Sequence, residues 1–235
     1  MDSYNEINKP DKVDIAMAGL RATMNLLPGA SFFDQYWATF LSTPLELRRA
    51  SWFQELYERV MYLEEHRGID ISTLPDNPEF IDALLKITPL VQANSQNEKR
   101  QAFKNALTNI AIKASPGQTK THLFLRLIDV LSVDHIRVLQ FIDNPEKWCS
   151  ERGITMPYFG GSTRSLPYIM NKVHCDVGDE TVANMIFVDL YNNSLTASKI
   201  HTQLGSYTAT DAARSQSSSI GREFLEFITF KETQK

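Results

Sequence analysis

Apolar residues recur every three or four positions along most of the chain, the period of a helix with one buried face. The densest run is Thr119–Pro145, read as two helices that meet at Leu131–Ser132. In the first, Leu123, Leu127 and Val130/Leu131 share a face. In the second, Ile136, Leu139 and Phe141/Ile142 do, with Asp134 and Arg137 outside. Ser132 suits the N-cap of the second helix, because its hydroxyl can accept a backbone N–H there. Asn144-Pro145 stops it, since the residue before a proline avoids the helical region. The rest of the chain is expected to pack on this corner.

Upstream, Val13–Leu27 and Ser31–Leu41 form an apolar helical hairpin about Pro28-Gly29, after a polar tail over 1–12. The uncharged run between Arg21 and Asp34 has 12 residues, short of the roughly 20 that span a membrane. An interface-lying hairpin with Phe32, Phe33, Tyr36 and Trp37 as its membrane or partner surface is the alternative to packing inward. Thr43-Pro44-Leu45-Glu46 has the form of a capping box with proline at the first helical position. Its helix runs to about His66, with Phe53, Leu56/Tyr57, Val60 and Leu63 inward and Gly68 as the stop. Residues 69–76 connect to a helix from Asn77 to Ala93, kinked at Pro89. Gln96–Ala114 turns Phe103, Ala106/Leu107 and Ile110 inward and Lys99, Arg100, Lys104 and Lys113 outward. Ser115-Pro116-Gly117 closes it and marks the candidate domain boundary.

In the C-terminal part the pattern predicts helices over Arg164–Val173 and Asp179–Asn192. The latter is read with Val182, Met185/Ile186 and Leu190 inward and a left-handed stop at Asn192-Asn193. Lys199–Leu204 alternates as a strand would. Residues 205–219 are small and polar, and 220–228 return as a closing strand or helix. This order resembles a winged-helix domain, with the polar loop as the wing and Asp179–Asn192 as the groove-reading helix. The expected fold is mostly α: an N-terminal helical bundle over 13–117, then a winged-helix-like module over 118–235 with a small β-hairpin.

A second resemblance lies in Glu98–Pro145. NEKRQAFKNALTNIA, a short break and FLRLIDVLSVDHIRVLQFI look like the Abi-alpha type of bacterial proteins associated with abortive infection. The resemblance covers about a quarter of the chain as quoted. It implies a phage-defence setting and carries over no site residue.

Charge changes the picture for the groove-reading helix. The net charge is −4, with 13 basic and 15 acidic residues in 1–120 against 11 and 13 in 121–235. Affinity for duplex DNA comes mostly from phosphate neutralisation, yet Asp179–Asn192 holds Asp179, Glu180 and Asp189 and neither Lys nor Arg. The basic residues around the wing are Lys199, His201, Arg214 and Arg222, beside one acid, Asp211; these are the candidate phosphate or partner contacts.

Candidate chemistry adds little. Cys149, His174 and Cys175 fall short of a four-ligand zinc set. Cys175 lacks a positioned base. Gly160-Gly161-Ser162-Thr163 lacks the Lys-Ser/Thr pair of a P-loop. No catalytic, cofactor or metal residue is assigned, and no enzymatic activity is expected. Two cysteines and a polar start to the chain fit the cytoplasm. The reading is a non-enzymatic protein-interaction or sensor component of bacterial origin. Tyr158, Phe159 and Tyr207 are its candidate anchors, a protein is its partner, and a homo-oligomer is compatible with it. The alternatives are a winged-helix DNA-binding regulator and a membrane-associating effector acting through residues 15–41.

Overall fold

A computed structural model of the chain describes residues 45–159, 161–175, 177–200 and 207–230. The expected tail, the hairpin with Phe32, Phe33, Tyr36 and Trp37, the cap at Thr43, His201 and most of the alternating segment lie outside them. The described residues are mostly helical and divide into two compact units. No helix among them is long and apolar enough to cross a membrane.

The first unit takes the described residues 45–95 together with Leu107–Ser115. Helix α1, Leu45–Arg67, ends where Gly68 turns left-handed at φ +61° and Ile69 N–H reaches back to the Leu63 carbonyl. A glycine just past the last helical residue, in the left-handed region, is a common helix stop. A 3-10 turn over Ile71–Asp76 follows, capped by the Asp70 carboxylate on Ser72 N–H. Helix α2, Pro78–Ala93, is capped by Asn77 on Phe80 N–H. Pro89, where the sequence suggested a kink, lies inside it without ending it. The unit's buried side chains include Trp52, Leu56 and Leu63 of α1 and Phe80, Leu84 and Ile87 of α2. Phe53, Tyr57 and Val60 are only half-buried, so the face of α1 is rotated from the expected stripe toward Trp52.

Helix α3, Asn97–Ala111, gives its first part to the second unit and its last to the first. It is buried around most of its circumference, including Ala102, Asn105, Thr108 and Asn109. This overturns the outward placement of Lys99, which is 7% exposed. Its ammonium donates to the Asp129 carbonyl, and burial pushes its pKa down from the usual lysine range.

The second unit takes Gln96–Ala106 and Pro116–Phe230. Helices α4, Gln118–Val130, and α5, Val133–Asp143, meet at Leu131–Ser132 as the pattern predicted. On α4 the buried face is Phe124, Leu127 and Ile128, while Val130 is exposed. The face therefore lies one position off the expected one. On α5, Ile136, Val138, Leu139, Phe141 and Ile142 are buried. Burial on both sides of this helix follows from its place: α6, Pro145–Glu151, α8, Glu180–Asn192, and α10, Ser219–Phe227, all pack on α5. Between them run α7, Leu166–Lys172, and α9, Ala209–Ala213. Phe124 of α4 meets Phe224 and Phe227 of α10 at centroid distances of 5.5 and 5.6 Å.

The segment read as wing and as closing strand or helix holds two helices where it is described, joined by a non-helical stretch over 214–218. Thr208 and Asp211 form a reciprocal cap that starts α9 inside the expected polar loop, and 219–227 is a helix. Among the described residues there is no strand. Two isolated antiparallel bridges, Arg164–Tyr207 and Thr196–Ser217, tie the segment down.

Candidate interaction surface

Helix α8 is apolar on both sides. Asp179 caps it on Val182 N–H. Ala183, Ile186, Phe187 and Leu190 form its buried side. Val182 and Met185, read from the sequence as core, face solvent with Val188 and Tyr191; Met185 is 61% exposed. These apolar side chains alternate on the exposed side with Thr181, Asn184 and Asn192. The only charged residues within α8 are Glu180 and Asp189.

The C-terminal end of this face is built by a tight corner. The left-handed residue is Ser194, at φ +60°, where the sequence suggested Asn192-Asn193. Leu195 N–H reaches back to the Leu190 carbonyl. The turn brings the Lys199 ammonium 5.5 Å from the Tyr191 ring centre, within the range of a cation–π contact. Lys199 then lines an open depression of about 500 Å³ with Ser198, Tyr207, Asp211, Arg214 and Gln216. Two sequence candidates, Lys199 and Arg214, are thus brought together. Arg214 is held 3.5 Å from Asp211, whose carboxyl is kept below the usual carboxylate range by Thr208 hydrogen bonds. Arg222 lies elsewhere, 3.7 Å from Asp143.

The side of α8 toward α5 carries a Ser–His–Asp arrangement. Ser132 Oγ lies 2.7 Å from His135 Nδ1, and His135 Nε2 lies 3.3 Å from Asp189 Oδ2. Ser132 N–H also points at Nδ1, which places the ring proton on Nε2, donating to Asp189. The serine hydroxyl accepts His135 N–H and is thereby engaged as the helix cap. Its geometry is that of a cap tied across to α8.

The other sequence candidates are scattered. Cys149 and Cys175 are buried free thiols, and burial pushes Cys149 above the usual thiol range. No group of three or more His, Cys, Asp or Glu among the described residues is placed to hold a metal ion. Tyr158 is exposed, while Phe159 packs edge-on to Tyr168 at 6.1 Å. Tyr207 donates its hydroxyl to Gln216. Nothing matches. Neither family models, nor curated proteins, nor solved structures give a relative of this chain.

The sequence reading missed Met185, Val188 and Val182 as surface residues. The available signal was excess: ETVANMIFVDLYN holds more apolar residues than one helical face can bury.

Proposed function

We propose that the chain is a helical protein-interaction module whose contact surface is the outer face of α8. The observation that carries this is the exposure of Val182, Met185, Val188 and Tyr191 on a helix already filled on its inner side. Such a face gains by meeting apolar protein surface, and aromatic and methionine side chains are enriched where partners dock. A place in phage defence, as a sensor or effector-associated component, rests on the Abi-alpha resemblance of residues 98–145.

A second reading comes from the depression with Lys199 and Arg214. In a winged-helix arrangement, α8 would enter a DNA groove and Lys199 and Arg214 would contact phosphate. The outer face of α8 opposes this: beside Asn184 and Asn192 it carries Glu180, Asp189, Val182, Met185 and Val188, and it has neither the Arg nor the Lys with which a groove-reading helix most often contacts bases and phosphate. The test is fluorescence anisotropy of the full chain with mixed duplex DNA at low and at physiological salt. No binding at either is expected. Tight binding that falls steeply with salt, and is lost in Arg214→Ala, would overturn the protein-partner reading.

A further inference from the structure

We infer that the outer face of α8 docks on the same face of a second copy of this chain, the two helices antiparallel across a two-fold axis. The inference rests on the reading of that face as a protein-contact surface and names its partner. Its ground is self-complementarity. Thr181, Met185, Val188 and Asn192 are all exposed. They are spaced four, three and four residues apart, the stripe along which two helices lie side by side. The stripe is symmetric about its centre, so antiparallel pairing sets Met185 against the partner's Val188 and Thr181 against the partner's Asn192. Charge agrees with this direction. Glu180, at the start of the helix, forms no ion pair among the described residues, and neither does Lys199, beside Tyr191 at the end. Glu180 and Tyr191 are eleven residues apart, three full turns, and so share one edge of the helix. A two-fold axis across the helix carries that edge onto itself with its ends exchanged, and Glu180 meets the partner's Lys199. Antiparallel helices also oppose their dipoles favourably, and a two-fold contact closes without forming chains.

The helix has 13 residues, about 20 Å at roughly 1.5 Å per residue. One such face is smaller than the ~800 Å² per partner of a standard interface, so a dissociation constant on the order of micromolar is expected.

Sedimentation velocity of the full chain across concentration tests this. The mass should climb from 26.8 kDa toward twice that value. Met185→Glu and Val188→Glu, with unchanged circular dichroism, should hold it at the monomer. Lys199→Glu should weaken association on the order of tenfold, since the pair occurs twice by symmetry, and adding Glu180→Lys should restore it. A wild-type chain that stays monomeric overturns the second copy as occupant and leaves the face to residues 1–44 or another protein. The protein-contact reading would then still be judged by the DNA measurement. A dimer indifferent to Met185→Glu, or a charge swap that restores nothing, overturns the proposed arrangement.

Discussion

A Cβ at Gly221 would stand 2.2 Å from the Leu195 carbonyl oxygen. That oxygen is fixed, because it accepts Ser218 N–H at 3.0 Å, and Ser218 also caps α10 on Gly221 N–H. Gly221→Ala must therefore push α10 off the Ser194–Leu195 corner. The expected loss is about 1–3 kcal/mol, the usual cost of overpacking, read from the urea midpoint. Ser219→Ala, exposed on the same turn, should stay within about 0.5 kcal/mol. Nothing in IGREF announces this need, because the contact lies 26 residues earlier in the chain. Lys99 was hidden for a related reason. Periodicity reports one apolar stripe, and it places any lysine off that stripe in water. It does not report that a lysine stem can be buried when its ammonium finds a carbonyl.

Local chemistry was far more legible than face assignment. The joint at Leu131–Ser132 could be read because a cap is written within four residues, and the structure adds His135 as its reciprocal partner. Ser132→Ala should cost about 1 kcal/mol, seen as a lower thermal midpoint, and Ser132→Asp should recover most of it. Face assignment was half right on α8, where Ile186 and Leu190 are buried but Val182 and Met185 are not, because apolar residues occur on both sides of the helix and a stripe drawn through either set looks internal. Length defeated the reading of α9. Its five residues are too few to show a period, so a capped helical turn inside GSYTATDAARS passed for loop. For 220–228, strand and helix were both open, and the structure decides for a helix with Phe224, Leu225 and Phe227 buried.

Across the whole molecule, the two compact units have α3 in common. Loss of either unit removes packing from part of the same helix, so the described core is expected to unfold as one. Cys149 and Cys175 are buried in the second unit, whereas α1 and α2 belong to the first. With a thiol reagent present during urea titration, thiol exposure and loss of helical circular dichroism should share one midpoint. Thiol exposure well ahead of helix loss would show the units melting separately. The composition suggested a boundary at Ser115-Pro116-Gly117, and a proline–glycine break does end the run there. What composition cannot register is that Lys99 and Asn105, upstream of the break, hold the Asp129 and Ile228 carbonyls downstream of it. The chain from Pro116 onward is consequently no cassette. A recombination joint at that proline would hand a new host the acceptors without their donors. Gene fusions or truncations that keep this half working are expected to carry residues 96–106 with it as one inherited block.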